Sequence, residues 1–431
     1  MNTRSVCPVC LRPLPAVLRE QDHITYMEKT CPEHGSFSVP VWHGRLDRDQ
    51  WRKGAVPLGE GEGLRCPEKC GICREHQRGT CCALLEVTSR CDLGCRFCFA
   101  RGGEGTKVDP SPDELKLSIA CLLELGRLPT LQLSGGEPTL RDDLPELIRY
   151  AKALGCPYVQ LNTNGLRLAA EPGYAETLKQ AGLSYVFLQF DGTDDAIYRA
   201  LRGRALFESK QRCIENCARA GLGVTLVPTV VRGVNEHALG EIVRFGLLHA
   251  PTVRGVHFQP VSYFGRVPEQ VPERYTLDEL ICDVAGQTGL ALRHFLPSRC
   301  DHPLCGFHMS GMVMPDGTLL PLSADAGEGC ESSAAQNRSY IGERWTVSEA
   351  AEQSTAPLLQ DGSFDLDAFA DRARAYSFTL SAMAFQDAGN LDIERLRRCS
   401  LHVYKSQKLM PFCAAYLSPL TDADGPSAVF R

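Results

Sequence analysis

Two hydrophobic patterns alternate along the middle of the chain. Short apolar runs rich in β-branched and aromatic residues precede longer stretches in which apolar residues recur with helical spacing. The short runs predict strands and the longer stretches predict helices, and their repetition is typical of a parallel α/β sheet. Strands are predicted at Ala83–Val87, Leu131–Ser134, Tyr158–Asn162, Tyr185–Phe190, Gly223–Thr229 and Val256–Gln259.

Helices are predicted between these strands. They span Pro112–Leu125, Leu144–Leu154, Tyr174–Ala181, Ser209–Ala220 and Glu236–Leu248. Strand–helix units in this number favour a partial (β/α)6 barrel, whose active site would lie at the carboxyl ends of the strands. The predicted organisation is a metal-binding ribbon at 1–56, a cysteine-rich loop at 64–82, the barrel at 83–267 and a cysteine-rich C-terminal domain at 268–431.

The overall composition is that of a folded globular protein. Hydrophobic residues make up 43% of the 431 residues and charged residues 23%. A net charge of -6 argues against nucleic acid or an anionic membrane surface as a partner. No apolar run approaches the roughly 20 residues that span a bilayer. Because the N-terminus carries no apolar signal segment, we expect a cytoplasmic protein.

Cysteine is the exception to this ordinary composition, with 21 residues. In a reducing compartment, metal ligation explains such a number better than disulfides do. Cys91, Cys95 and Cys98 follow the first predicted strand at the spacing C-x3-C-x2-C, and Phe97 precedes the last of them. Three thiolates from one loop can hold three irons of a [4Fe–4S] cluster and leave the fourth open. A zinc loop is the alternative, but three ligands without a nearby fourth fit zinc poorly.

A second motif of the same spacing lies upstream at Cys66, Cys70 and Cys73. It has no preceding apolar strand and no aromatic residue before its last cysteine. Cys81 could supply a fourth thiolate, so we predict an auxiliary four-cysteine cluster, with zinc on the same ligands as the alternative. The neighbouring Cys82 is left without an obvious role.

The N-terminal segment carries a further metal-binding pattern. Cys7, Cys10 and Cys31 form a C-x2-C knuckle followed by a Cys-Pro turn, typical of a zinc ribbon or a rubredoxin-like iron site. We therefore expect one mononuclear iron or zinc. The fourth ligand is open between His34 and a distant cysteine such as Cys82.

Cysteines return beyond the predicted barrel. The simplest grouping places a second auxiliary cluster on Cys300, Cys305, Cys399 and Cys413. Cys330 stands alone in a polar loop, and the hypothesis for it is a redox-active or substrate-handling thiol; a dispensable surface cysteine is the alternative.

Polar and small residues gather at the carboxyl ends of the predicted strands. The second strand ends in Ser134, Gly135, Gly136 and Glu137, and two glycines allow a backbone to approach a ligand closely. Because these strand ends meet at one edge, we expect them to outline a pocket. Further candidates there are Asn162, Asn164, Gln189, Asp191, Val227 and Gln259, and substrate contacts are predicted from Gln189, Asp191, Gln259, Tyr263 and Arg266.

The three-cysteine loop and the Gly-Gly-Glu-Pro turn together resemble the radical S-adenosylmethionine (SAM) family. The resemblance implies that the open iron binds SAM, with Phe97 near the adenine and Gly135, Gly136 and Glu137 at the methionyl end. It also implies that an electron cleaves SAM to methionine and a 5′-deoxyadenosyl radical, which takes hydrogen from an unactivated C–H bond. A ferredoxin-like electron carrier and a zinc-binding scaffold are the alternatives from other classes.

A narrower resemblance extends from about Val6 to Leu417. The cysteine motifs and the Leu-Leu-Glu-Val-Thr strand are similar to a branch containing archaeal tetraether lipid synthases and pterin-methylating enzymes. The segments Gln160–Gly165, Val186–Thr193 and Phe258–Arg266 most resemble a bacterial subgroup, the TrsS-type proteins, some of them selenoproteins. This implies auxiliary [4Fe–4S] clusters, a mononuclear metal, a ferredoxin- or flavodoxin-type reductant and a possible companion methyltransferase. C–C bond formation and methylation remain open, as does a small-molecule, lipid or peptide substrate.

Overall fold

The structure is a computed structural model. It describes residues 1–55, 59, 65–67, 70–104, 108–322, 333–347, 359–360, 363–422 and 425–426. Cys330, for which the sequence suggests a reactive thiol, lies outside these residues.

The chain begins with an antiparallel sheet of four consecutive strands. These are β1 (Asn2–Val6), β2 (Pro13–Gln21), β3 (Ile24–Cys31) and β4 (Gly35–Trp42). Alternate residues of these strands are buried, so that Ala16, Leu18 and Met27 form a small apolar cluster on one face. The short apolar runs Ile24–Thr30 and Phe37–Trp42 predict a pair of strands, which are β3 and β4, whereas β1 and β2 are not predicted from the sequence.

The central sheet contains the six predicted strands, which confirms the parallel α/β fold. Its strands are β5 (Cys82–Thr88), β6 (Thr130–Gly135), β7 (Val159–Thr163), β8 (Tyr185–Gln189), β9 (Gly223–Val227), the short β10 (Thr229–Val230) and β11 (Val253–Pro260). Neighbouring strands from β5 to β9 pair in parallel, and β11 pairs in parallel with β9.

Strands from the C-terminal third extend this sheet at both edges. They are β12 (Leu296–Pro297), β13 (Phe307–Val313), β14 (Leu319–Pro321), β17 (Ser377–Ala382), β18 (Leu401–Lys405) and β19 (Lys408–Pro411). Two separate two-stranded sheets pair β15 (Leu359–Gln360) with β16 (Ser363–Phe364) and β20 (Thr421–Asp422) with β21 (Gly425–Pro426). β17 pairs in parallel with β11, and β18 pairs in parallel with β5. The parallel part of the sheet therefore runs in the order β18-β5-β6-β7-β8-β9-β11-β17.

The helices of the described residues are α1 (Arg48–Trp51), α2 (Pro112–Leu125), α3 (Leu144–Ala153), α4 (Leu166–Ala170), α5 (Tyr174–Ala181), α6 (Asp195–Arg202), α7 (Phe207–Arg219), α8 (Leu239–Leu248), α9 (Leu277–Thr288), α10 (Ala334–Trp345), α11 (Leu366–Ala375), α12 (Ile393–Arg397) and α13 (Phe412–Ala415). Helices α2, α3, α5, α7 and α8 pack on the outer face of the sheet, whereas α10 packs Trp345 against Tyr185 and Phe187 on the inner face. At the start of α2, Ser111 and Glu114 form a reciprocal capping box. Within the described residues, none of these helices has the length and apolar character needed to span a bilayer.

The alternation along β6 shows how the sequence separates core from interior cavity. Leu131 and Leu133 are fully buried in one apolar cluster with Ile119 of α2 and Ile148 of α3. Burying such a side chain stabilises the fold by about 1.5–3 kcal/mol. The intervening Gln132 points to the other face of the sheet, where it lines a cavity.

Candidate active site

The loop after β5 is anchored by one carboxylate. Asp109 accepts hydrogen bonds from Thr88 Oγ1 at 2.6 Å and from the Ser89 backbone at 3.2 Å, and it pairs with the Arg90 guanidinium at 2.6 Å. These contacts fix the chain at the point where it leaves the strand. Cys91 follows directly.

Arg266 holds the same loop from the other side. Its Nε donates to the Cys95 carbonyl at 2.7 Å, and its backbone exchanges two hydrogen bonds of 3.0 and 2.9 Å with Cys98. Its guanidinium also pairs with Glu104. Arg266 is predicted as a substrate contact, but the structure uses it to clamp the cysteine loop.

The thiols of Cys91, Cys95 and Cys98 all line one cavity. Burial raises the pKa of the Cys91 thiol to about 12. Close packing around the loop depends on glycine, because a Cβ on Gly102 would lie 3.1 Å from that of Cys91. Three half-buried thiols on one tight loop facing a cavity suit three irons of a [4Fe–4S] cluster with an open fourth position.

The glycine turn after β6 packs against this loop. A Cβ on Gly135, which has a φ of +127°, would lie 2.2 Å from the Thr88 carbonyl oxygen, and one on Gly136 would lie 2.1 Å from that of Arg90. Both positions therefore require glycine for contact with the protein's own backbone. Both residues also line the cavity, where the sequence predicts a ligand.

Glu137 ties two strand ends together. Its buried carboxylate accepts hydrogen bonds from the Thr139 backbone and hydroxyl, from Thr163 Oγ1 at 2.7 Å and from the Asn164 backbone at 2.7 Å. Burial raises the pKa of Glu137, and these hydrogen bonds oppose that shift. Both oxygens are thus engaged within the protein, so that Glu137 fixes the ends of β6 and β7 relative to each other.

The cavity has a volume of about 330 Å³ and runs along the inside of the barrel. This volume is within the range of small-molecule sites. It extends from the cysteine loop after β5 to Cys82, the first residue of that strand. The predicted residues that line it are Phe97, Ser134, Gly135, Gly136, Glu137, Asn162, Asn164, Gln189, Val227 and Gln259.

Asp191 does not line this cavity, contrary to the sequence-based prediction. It is fully buried and binds Arg202 through two contacts of 2.7 Å. Arg202, which also donates to Thr229 Oγ1 at 2.9 Å, reaches the cavity in its place. The sequence shows a polar residue at a strand end but not that a later helix supplies its cation.

Two further side chains differ from expectation. Tyr263, predicted as a substrate contact, is fully buried and donates to the Pro272 carbonyl at 2.6 Å. Lys210, which sequence reasoning missed, is buried on α7 and donates to the Asn164 carbonyl at 2.6 Å and to Gln189 Oε1 at 2.9 Å. Burial lowers the pKa of Lys210 to about 8. Lys210 lies on a helix that carries no motif, so the sequence does not indicate that this side chain reaches the strand ends.

The N-terminal sheet assembles a compact donor set. One atom from each of Cys7, Cys10, Cys31 and His34 lies within 4.8 Å of the others. His34 Nδ1 is 3.7 Å from Cys7 Sγ and 3.5 Å from Cys31 Sγ. Three thiols and an imidazole at this separation fit a tetrahedral zinc or iron. The structure thus brings His34, rather than Cys82, to the predicted metal ligands.

Comparison with known proteins agrees with this arrangement. Residues 85–246 match the radical SAM superfamily, and residues 1–43 match the HMPTM N-terminal zinc ribbon domain. The chain is 33% identical over 469 residues to a 7,8-dihydro-6-hydroxymethylpterin dimethyltransferase of Methanocaldococcus jannaschii, covering 96% of this chain and 92% of that protein. The chain belongs to the radical SAM family.

Other radical SAM relatives match over shorter lengths. A Fe-coproporphyrin III synthase of Methanosarcina barkeri is 35% identical, over 45% of this chain and 47% of that protein. A GTP 3′,8-cyclase of Limosilactobacillus fermentum is 26% identical, over 60% and 76%. Among solved structures, methylornithine synthase matches with a TM-score of 0.40 and 15% identity, covering 65% of this chain and 86% of that one.

This radical SAM protein is therefore an iron–sulfur-dependent enzyme, as the cysteine loop and glycine turn predict. When bound, the cluster and SAM supply a 5′-deoxyadenosyl radical that abstracts hydrogen from a C–H bond. The chain's own part is to hold the cysteine loop rigid through Asp109 and Arg266 and to enclose the reacting groups in the cavity. The electron-carrier and scaffold alternatives are not supported.

The remaining cysteines of this radical SAM protein meet in a different arrangement from the one the sequence suggests. The sequence places Cys81 with Cys66, Cys70 and Cys73, but in the structure Cys81 lies beside Cys300 at the same cavity, and its thiol raises the pKa of the Cys300 thiol. The cause is that the backbone before β5 runs beside the segment before β18, with both Cys81 and Cys82 donating to the Ser400 carbonyl. The thiols of Cys305, Cys399 and Cys413 stay close enough to influence one another electrostatically.

Proposed function

We propose that this radical SAM enzyme methylates carbon on a small heterocycle of the pterin kind. The observation that carries the proposal is the similarity to the pterin dimethyltransferase, which extends over nearly the whole length of both proteins. The shared N-terminal ribbon supports it, because that domain is the one named for the same methyltransferases. Membership of the TrsS-type subgroup stays a prediction.

In this proposal Cys91, Cys95 and Cys98 hold the SAM-binding cluster, and Phe97 lies beside the adenine. Apart from Glu137, the residues proposed to contact SAM or substrate are those that the cavity shares with the sequence-based prediction. Glu137, Asp191 and Arg266 act indirectly, since each binds other protein groups. They position the loops that make the contacts.

The other cysteines are proposed to hold auxiliary [4Fe–4S] clusters and one mononuclear metal. Cys66, Cys70 and Cys73 lie on one segment, and Cys300, Cys305, Cys399 and Cys413 come from the C-terminal third. Iron–sulfur sites need thiolate ligands, and these thiols have no disulfide partners among the described residues. A ferredoxin- or flavodoxin-type protein would supply the electron.

The test is product formation from SAM by the anaerobically reconstituted protein. With a low-potential reductant and 6-hydroxymethyl-7,8-dihydropterin, we expect 5′-deoxyadenosine and a pterin heavier by one or two methyl groups. Replacing Cys91, Cys95 and Cys98 by Ala should abolish both products. SAM cleavage without any methylated pterin would contradict the proposed reaction. Loss of cleavage on replacing Cys66, Cys70 and Cys73 alone would reverse the assignment of the two motifs.

A further inference from the structure

One wall of the cavity is built from carboxamides on adjacent strands. Gln132 of β6 and Gln160 of β7 are paired in register, and Gln132 Nε2 donates to Gln160 Oε1 at 3.3 Å. Gln160 Nε2 in turn donates to Asn162 Oδ1 at 2.6 Å. Gln160 is only 1% exposed and Gln132 and Asn162 are half-buried, so these amides form a polar ladder that lines the cavity. Buried amides of this kind need hydrogen-bonding partners.

Aromatic side chains lie beside the amides on the same lining of the cavity, since β8 pairs with β7 so that Tyr185 is next to Gln160 and Phe187 is next to Asn162. Phe187 of β8 has its ring centroid 4.8 Å from that of Trp345 and 5.5 Å from that of His257. Tyr185 extends this surface, with its ring 5.5 Å from that of Trp345. A flat aromatic molecule can stack on such a surface while its edge faces the amides. The amides and the rings are therefore neighbouring parts of one cavity surface, which is called the slot below.

No charge is left over in this slot. The charged side chains that line the described cavity are Glu137, Arg202 and Asp301, and each is bound within the protein: Asp301, for example, accepts from the Ser400 backbone at 2.6 Å. His257 hydrogen-bonds with Ser381 Oγ at 2.9 Å. Burial lowers the pKa of His257 to about 4, so the ring is neutral at physiological pH. A buried phosphate would have no cation free to balance it.

We infer that this slot, lined by the amides of Gln132, Gln160 and Asn162 and by the neighbouring rings of Phe187 and Trp345, selects an uncharged, planar heteroaromatic substrate and rejects its phosphorylated forms. The substrate ring stacks on the aromatic side chains, and its donor and acceptor edge bonds the amide ladder. This inference rests on the proposed methylation and specifies the substrate class for it. It separates this enzyme from its GTP-named relatives, because a triphosphate would need cations that the slot does not offer.

The test compares binding of two probes to the SAM-loaded holoenzyme. We expect 6-hydroxymethyl-7,8-dihydropterin to bind and its diphosphate ester to bind at least about tenfold more weakly, since a buried unpaired charge is costly. Gln160→Leu should weaken binding of the neutral pterin by about 5- to 100-fold, because one edge group of the ligand is left unpaired. The affinity of the Gln160→Leu variant for SAM reports whether the part of the cavity next to the cysteine loop remains intact.

Gln287→Leu is the matched control. Gln287 also makes two hydrogen bonds, to the Gly240 amide and the Glu236 carbonyl, but it lies outside the cavity. Equal affinity for the two probes, or wild-type pterin affinity in Gln160→Leu, would overturn the inference even if methylated pterin still formed. Conversely, selective binding of the neutral pterin without any methylated product would uphold the slot and contradict the proposed function.

Discussion

Single residues show where sequence reasoning about this site stops. Glu137 and Asp191 both stand at strand ends, and both are predicted to touch a ligand. In the structure their carboxylate oxygens accept hydrogen bonds from the protein instead. Glu137 accepts from Thr163 and Asn164, and Asp191 accepts from Arg202. The sequence pattern identifies the carboxyl ends of the strands as the place of the active site, because these ends meet at one edge of the barrel. It cannot show which side chain bonds inward to the protein and which reaches the cavity.

Glu137 provides a prediction at this scale. Glu137→Gln places an amide donor against the N–H and O–H donors that the carboxylate accepts, so the ends of β6 and β7 should separate. We expect a loss of about 1–3 kcal/mol in the free energy of unfolding. SAM affinity should fall by a similar free energy, measured by equilibrium binding to the reconstituted enzyme. Glu208→Gln, on the exposed surface of α7, is the control and should change neither.

His257 provides a pH prediction. Since its folded pKa is about 4 and its ordinary value is 6.5, the neutral ring is the bound form throughout the physiological range. Binding of the neutral pterin should therefore stay constant between about pH 5 and pH 8 and be lost only as pH falls through about 4. A binding curve with a midpoint near 6.5 would show that His257 titrates normally and that the slot is wetter than the structure indicates.

At the scale of elements, the best predictions come from strong local periodicity. Helices α2 and α5 have the bounds that the sequence predicts, and the six barrel strands are found within a few residues. β17 and β18 were not assigned to the barrel, because their partners β11 and β5 lie more than a hundred residues away and nothing local encodes such pairing. Local alternation can indicate a strand but not the strand that it pairs with.

The contact between the N-terminal sheet and the C-terminal segment depends on one buried amine. Lys29 of β3 donates to Ser5 Oγ at 2.9 Å, to the Ala388 carbonyl at 2.7 Å and to the Gly389 carbonyl at 2.9 Å. Thr3 adds a hydrogen bond of 2.6 Å to Asp392. The ammonium group has three donors, and all three are used.

Lys29→Met should therefore loosen the ribbon. It removes three donors from buried acceptors, which we expect to lower the free energy of unfolding by about 2–4 kcal/mol. Limited proteolysis should then release the first part of the chain earlier than in the wild type. Lys408→Met, at an exposed position in β19, should leave both measurements unchanged. Unaltered proteolysis of the Lys29 variant would mean that the metal alone holds the ribbon in place.

On the scale of the whole molecule, segments far apart in sequence are interleaved around the barrel. The 73–82 segment runs beside 397–402, with Gln77 donating to the Arg397 carbonyl and Cys81 to the Ser400 carbonyl. Motif spacing groups cysteines that are close in sequence, and the structure places Cys91, Cys95 and Cys98 at one cavity because one loop carries them all. Motif spacing has no means of pairing Cys81 with Cys300, because that contact depends on how the chain closes around the sheet.

The two groupings make different predictions for iron content. If Cys81 belongs with Cys66, Cys70 and Cys73, and Cys300 with the other C-terminal cysteines, the double variant Cys81→Ser/Cys300→Ser should lose two clusters, and the single losses should add. If the two thiols serve one site, as their contact indicates, each single variant should already lose about what the double variant loses, because effects at a shared site are not additive.

We expect the non-additive result, measured as iron and sulfide per chain after anaerobic reconstitution and by Mössbauer spectroscopy. Cys156→Ser is the control, since that thiol is buried in the apolar core and hydrogen-bonds only to backbone carbonyls. Its iron content should equal that of the wild type. The cysteine loop at Cys91, Cys95 and Cys98 lies at the other end of the cavity, so the SAM-binding cluster should persist in every variant. Strictly additive losses would restore the grouping by sequence and make the contact between Cys81 and Cys300 incidental.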